Sequence, residues 1–243
     1  MKTPFDDCAR EYDIFRPDYP PEIYDFLINR CNLTAISEIV DVGAGTGKSS
    51  APFLDRGFRV TAVEPSHAMR KEGLRSHPAL SYVSANAEST GIRSGTFDLV
   101  ICAQAFHWFD LTQTLPEFAR LLKSSGFMGI FWNNRDGDAP HIQRFEKLIH
   151  EFDPEHDCKY RRKDWKSLID SSNSFQIVDR RRFTFVKPMT TDAWVGLARS
   201  MSYVRKLPEK KLAELERALH EAFHQSPSTG CPYVTDLWLA KKL

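Results

Sequence analysis

The chain has no hydrophobic run of the length a membrane span requires. Its longest apolar candidate, Leu99 to Phe109, is broken by Gln104 and His107 and falls short of the ~18 apolar residues needed. The opening segment, MKTPFDDCAR, lacks the apolar stretch of a secretion signal. Cysteine is scarce: Cys8, Cys31, Cys102, Cys158 and Cys231 are odd in number, scattered and without a CxxC pair. That distribution argues against both a disulfide framework and a zinc site. Charge of one sign is also missing. Lys plus Arg (33) against Asp plus Glu (32) leaves +1 over 243 residues, which gives no global attraction to nucleic acid or anionic lipid. No internal repeat or low-complexity linker interrupts a composition that is 42% hydrophobic and 27% charged, so disordered and fibrous classes are excluded. The expectation is a reduced, cytoplasmic protein without metal, membrane or nucleic-acid partner. The sequence says nothing of its oligomeric state.

What is present is an alternation. Ser37 to Val42 reads as a strand, Lys48 to Arg56 as a helix ended by Gly57, and Phe58 to Val63 as a second strand. Ser66 caps a helix running to Ser76. Short strands follow at Ser81 to Ser84, Phe97 to Cys102 and Gly126 to Trp132, with a helix on the stripe Leu111, Leu115, Phe118, Leu121 and Leu122. Strand and helix in turn imply right-handed crossovers and a parallel sheet covered on both faces. Beyond Trp132 the rhythm changes. Helical stripes recur at Ile142 to Phe152, at Trp194, Leu197, Met201 and Val204, and at Leu212, Leu215, Leu219 and Phe223. The stretch Glu155 to Lys166 reads as exposed, Phe175 to Val186 as one or two strands, and residues 233–240 as a last strand. The expected architecture is α/β: a doubly wound, mostly parallel, seven-stranded, Rossmann-like sheet with a helical cap, forming one unit over 1–243. Its core would span 32–135, with 1–31 and 136–232 contributing the cap.

The most informative stretch is Asp41-Val42-Gly43-Ala44-Gly45-Thr46-Gly47-Lys48-Ser49, where an apolar strand enters a turn of alternating glycines. Such a turn lets a ligand lie against bare backbone. Three ligand classes use one. The dinucleotide fingerprint GxGxxG fails, because its last glycine would fall on Lys48. The phosphate loop GxxxxGK[ST] is a near miss: Gly47-Lys48-Ser49 supply its end, but its first position is Val42 and no later strand ends in a magnesium-holding Asp. A phosphate-loop ATPase or kinase therefore stays open as the alternative.

The third class is the one this sequence resembles. Asp41 to Gly47 is similar to the first motif of class I S-adenosylmethionine-dependent methyltransferases. Later positions agree: Glu64, 19 residues after Gly45, Ala85-Asn86-Ala87-Glu88 after the third strand, and Gln104-Ala105-Phe106-His107-Trp108-Phe109-Asp110 after the fourth. These positions fall at successive carboxyl ends of strands, where open α/β sheets bind ligands. The last string, with Tyr12 to Pro20, resembles a small-molecule branch that includes trans-aconitate methyltransferases. Asn86 departs from the Asp that many members carry.

The resemblance implies S-adenosyl-L-methionine as cofactor, held by Asp41, Gly43, Ala44, Gly45, Gly47, Glu64, Pro65, Met69, Asn86, Ala87, Gln104 and Ala105. Glu64 would accept from both ribose hydroxyls, and Met69 would pack on adenine. It implies a small-molecule acceptor, with carboxylate oxygen the leading choice, bound by Tyr12, Arg16, Tyr19, Trp108 and Tyr203. His107 is the catalytic candidate, as base or as a group that positions a carboxylate. An aromatic cap of Phe106, Trp108, Trp194 and Tyr203 would enclose the acceptor. A module that binds the cofactor without turnover is a further alternative. Two patterns read as decoys: His220-Glu221-Ala222-Phe223-His224 spells HExxH beside an apolar stripe and lacks a third ligand, while Arg161-Arg162-Lys163 and Arg180-Arg181-Arg182 read as solvated faces.

Overall fold

The computed structural model describes residues 6–154, 159–224 and 230–243. Cys158 and the Glu155 end of the charged stretch lie outside them. The strands are β1 (Glu38–Val42), β2 (Arg59–Val63), β3 (Ser81–Val83), β4 (Phe97–Ala103), β5 (Leu122–Arg135), β6 (Phe175–Lys187) and β7 (Cys231–Lys242). They form one seven-stranded sheet in the order β3-β2-β1-β4-β5-β7-β6. The chain winds outward from β1 in both directions, which leaves a crevice at the carboxyl ends of β1 and β4. Register aligns those ends: Val42 sits beside Val63, and Asp41 beside Ile101.

The sheet is mixed. Pairings from β3 to β5 are parallel, whereas β7 lies antiparallel between β5 and β6. Residues 175–187 form one strand, one of the two options the sequence left open, with a register irregularity between Ile177 and Asp179. The fifth strand starts at Leu122, which pairs with Phe97 of β4, and runs on to Arg135 because residues 127–135 pair antiparallel with 233–241 of the last strand, Cys231–Lys242. In the charged stretch Arg162, Lys163, Asp164 and Lys166 are exposed as expected, while Trp165 departs from that reading: it is buried and stacks on Trp132 with ring centroids 5.0 Å apart.

The helices are α1 (Ala9–Phe15), α2 (Pro21–Arg30), α3 (Ala51–Asp55), α4 (His67–Ser76), α5 (Leu111–Leu121), α6 (Pro140–Phe152), α7 (Trp165–Asp170), α8 (Thr191–Arg199) and α9 (Glu209–Phe223). One sheet face packs Phe118 and Leu121 of α5 and Ile169 of α7 on Val100, Cys102 and Ile130. The other packs Tyr24 and Leu27 of α2 and Phe53 of α3 on Ile39, Leu99 and Phe131. A third cluster joins α6, α8 and α9, with Trp194 stacked on Phe223 at 4.6 Å. Pro17 stops α1, holding Arg16 before it extended, and Pro20 caps the start of α2.

The helix expected from Lys48 begins only at Ala51. Gly47 is left-handed (φ +85°), and the Ser49 and Ser50 hydroxyls are drawn back onto Asp41 at 2.5 and 2.7 Å. Residues 48–50 therefore close a turn. Among the described residues Cys8, Cys31, Cys102 and Cys231 are buried and form no disulfide, and no helix is long and apolar enough to cross a membrane.

Candidate active site

The glycine turn begins where β1 ends. Gly43, Gly45 and Gly47 have φ of +73°, +57° and +85°. A Cβ on Gly43 would also lie 2.5 Å from the Cβ of Ala105, so β1 and β4 can approach only with a bare Cα there. The amides of Gly43 and Ala44 donate to the Val63 carbonyl at 2.8 and 3.1 Å, and that of Gly47 to Ala44. The Gly45 amide donates to Glu64 Oε2 at 3.0 Å. With these N–H groups satisfied by protein, the turn does not present them to an anion. Lys48 Nζ is 2.9 Å from Asp18 Oδ1, and α3 has only five residues. The phosphate-loop alternative thus finds its lysine paired, four of its turn amides turned to protein acceptors and only a short helix following.

Asp41 and Glu64 supply the acidity of the crevice. Asp41 is fully buried; its Oδ2 accepts from Ser49 and Ser50, while its Oδ1 has no hydrogen-bond partner among the described residues. Burial pushes its carboxyl up to about 6, against the two serine hydroxyls. Glu64 closes β2 and is held at both oxygens, by the Gly45 amide and by the Ser66 amide at 2.8 Å. Burial raises its pKa, and those two amides oppose the rise. A carboxylate has about four lone-pair sites, so Glu64 keeps capacity for two further donors. Arg70 Nη1 pins the strand end by donating to the Glu64 and Pro65 carbonyls, both at 2.7 Å.

Around this pair, Met69 is buried with its methyl 3.4 Å from where a Gly45 Cβ would stand. Its amide donates to Ser66, the cap of α4. Ala87 is buried and Asn86 exposed, with Asn86 bridged to Ser89. Gln104 is left-handed at φ +59° and donates to the Asn133 carbonyl at 3.0 Å, tying β4 to β5. The α1 segment lies alongside α4 and α8. Burial raises the Tyr12 phenol, and both Glu64 and Asp41 are near enough to raise it further. Arg16 sits 5.5 Å over the Tyr12 ring and donates to the Ser200 carbonyl. Tyr19 meets Phe131 edge-on at 4.8 Å. The Tyr203 hydroxyl lies 2.8 Å from Met201 Sδ.

His107 belongs to the opposite face. Phe131 and Trp132 are successive residues of β5 and point to different sides; Tyr19 packs on the first, whereas the Trp132 indole donates to His107 Nδ1 at 3.2 Å. Tyr160 stacks on the imidazole at 4.1 Å, and Trp108 flanks it at 5.1 Å while remaining 56% exposed. Burial, then the Lys163 charge, lower the His107 pKa to about 4. The enclosing aromatic cap is corrected in two members. Phe106 packs on Phe118 and Trp165, and Trp194 on Phe145 and Phe223, so both are core side chains. At the other decoys, Leu215, Leu219 and Phe223 are buried, His220 faces Asp192 at 3.4 Å, and Arg180 forms a two-point bridge to Asp236 over the Trp238 ring. No cluster of three metal-ligating side chains occurs among the described residues.

Sequence reasoning missed four supports. Ser49 and Ser50 hold Asp41. The Tyr82 hydroxyl donates to the Gly45 carbonyl at 3.0 Å, a contact that needs Gly73 bare, since a Cβ there would lie 2.1 Å from that oxygen. Trp132 fixes His107, and buried Arg135 pairs with Glu146 at 2.7 Å. Only the polar end of an otherwise apolar strand, Trp132-Asn133-Asn134-Arg135, hinted at the last two.

Residues 40–130 match the methyltransferase-domain family. An uncharacterized methyltransferase of Mycobacterium tuberculosis is 30% identical over 242 residues, 97% of this chain and 94% of that protein. The chain belongs to the class I methyltransferases. A malonyl-[acyl-carrier protein] O-methyltransferase of Enterobacter lignolyticus is 33% identical over 135 residues, 50% of this methyltransferase and 53% of that one. A solved structure from Anaeromyxobacter dehalogenans, a candidate type II methyltransferase, shares the fold with TM-score 0.61 and 24% identity. That alignment covers 93% of this methyltransferase and 97% of the other chain.

Proposed function

We propose that this methyltransferase uses S-adenosyl-L-methionine to methylate a carboxylate oxygen of a small molecule. The observation that carries the cofactor reading is Glu64. Its carboxylate is fastened at the mouth of β2 by the Gly45 and Ser66 amides, 3.0 and 2.8 Å away, and retains lone pairs for two ribose hydroxyls. The lining suits a cationic nucleoside: two acids, the amides of Gly43, Ala44, Gly45 and Gly47 already turned to protein acceptors, and the methyl of Met69 beside Gly45. In this reading Asp41, Gly43, Ala44, Gly45 and Gly47 shape the turn, and Glu64 and Pro65 face the ribose. Met69, Asn86 and Ala87 frame the base, and Gln104 and Ala105 border the amino-acid end. When bound, the nucleoside offers a sulfonium methyl that an acceptor oxygen takes in line, the C–S electron pair remaining on sulfur.

An ionised carboxylate acceptor needs no proton removed. The chain's task is then to hold the acceptor in contact and to exclude water. Arg16 and Tyr12 on the α1 side, with Tyr19 and Tyr203, supply a cation and phenols for an acidic acceptor, and His107 and Trp108 supply the other wall. Resemblance of residues 12–20 and 104–110 to the trans-aconitate branch favours a carboxylate, and so does the malonyl O-methyltransferase among the relatives.

Calorimetry with S-adenosylhomocysteine tests the cofactor half. Losing two hydrogen bonds to a charged group predicts binding weaker by about 100-fold or more for Glu64→Ala. An unchanged Kd would refute it. Screening di- and tricarboxylic acids with a labelled methyl donor tests the acceptor half; label appearing only in phenols or amines would refute it.

A further inference from the structure

The Trp132–His107 contact carries an inference about chemistry. An indole N–H only donates, so whichever imidazole nitrogen faces Trp132 must present its lone pair. In this structure that nitrogen is Nδ1, 3.2 Å from Trp132 Nε1. The remaining nitrogen, Nε2, then carries the hydrogen of the neutral ring. Trp132 is itself held in place: it is 2% exposed, stacks on Trp165 and pairs with Asp236 of β7, one residue beyond the last β4 pairing at Phe131. Tyr160 covers the imidazole face at 4.1 Å, and Trp108 borders it. Among the described residues the charged and titratable groups facing the ring are Lys163 and the Tyr160 phenol. Neither is an acid that would stabilise an imidazolium.

We propose that Trp132 is a positioning residue that locks His107 as the neutral Nε2–H tautomer, so that the histidine donates a hydrogen bond to an anionic acceptor and does not act as a base. This rests on the carboxylate reading above and deepens it. A base must offer a lone pair to the acceptor's proton, and the lone pair of His107 is already engaged by the indole. A donor needs only Nε2–H, which suits an acceptor that arrives deprotonated. Burial and Lys163 both disfavour the charged ring, so the donor persists across neutral pH.

The test is nitrogen NMR of the full chain labelled at histidine and tryptophan, read without any acceptor. The expected spectrum has His107 with a pyridine-type Nδ1 and a pyrrole-type Nε2, unchanged from about pH 8 down to about pH 5. A through-hydrogen-bond coupling should join Trp132 Nε1 to His107 Nδ1. A midpoint near the ordinary histidine value, or a proton on Nδ1, would overturn the proposal. Trp132→Phe should mix the tautomers and raise the His107 midpoint by about one pH unit, the worth of one neutral hydrogen bond. The coupling in the parent protein decides the matter if that variant does not fold.

Kinetics on an identified acceptor add a second readout. His107→Gln, which keeps an N–H donor, should retain turnover within about tenfold, while His107→Ala should lose about 10- to 100-fold. Equal loss in both, with a rate that rises through the histidine midpoint in the parent, would assign a base. If no acid is methylated, the carboxylate reading fails while the spectrum still reports on the tautomer lock.

Discussion

Replacing Asp41 by Asn should flatten the pH dependence of folding stability. Asp41 is fully buried at the last turn of β1, its Oδ2 bonded to Ser49 and Ser50 and its Oδ1 unpartnered among the described residues. Burial, helped by the neighbouring Glu64 charge, lifts its carboxyl from 3.8 in the unfolded chain to about 6, against the two serine hydroxyls. A group whose folded value is raised contributes its full stability below the unfolded value and loses it as pH climbs through the folded one. The protein should therefore lose stability between about pH 4 and about pH 6. The span from 3.8 to about 6 corresponds to about 3 kcal/mol, or about 6–12 °C in Tm for a chain of this size. Other carboxylates titrate in the same range, so the informative quantity is the difference between parent and Asp41→Asn. The Asn keeps one oxygen for both hydroxyls and carries no charge at any pH. Scanning calorimetry of both proteins at half-unit steps would show the parent falling relative to the variant across that window. Parallel curves would refute the claim that burial, and not the serine pair, dominates at Asp41.

Gly43→Ala forces a left-handed residue to carry a Cβ placed 2.5 Å from Ala105, so a loss of about 2–4 kcal/mol in urea unfolding should accompany loss of nucleoside binding by calorimetry. Lys48→Ala breaks an ion pair to a largely exposed Asp18; S-adenosylhomocysteine affinity should stay within about threefold, as exposed pairs contribute little, and neither protein should bind ATP with magnesium.

The sequence alone determined the scaffold of the site, because the rules it used are local. Glycine at 43, 45 and 47 marks left-handed turns, Pro17 and Pro20 bound helices, and the alternation of apolar strands with helical stripes sets a doubly wound sheet. An open sheet of that kind puts Asp41, Glu64, Asn86 and Gln104 at one edge through nearest-neighbour pairing. What the tertiary structure decided depends on contacts between distant residues. The Lys48 lysine looked available for a phosphate until Asp18, 30 residues earlier, was found beside it. Tyr82 reaches Gly45 only because Gly73 on another element is bare. His107 read from its side chain alone could be a base or a group that positions a carboxylate, and Trp132, 25 residues away, meets its Nδ1. Periodicity reports which face of an element is apolar, and it cannot report which polar atom meets which across the fold. Protonation states and hydrogen-bond roles follow from those meetings.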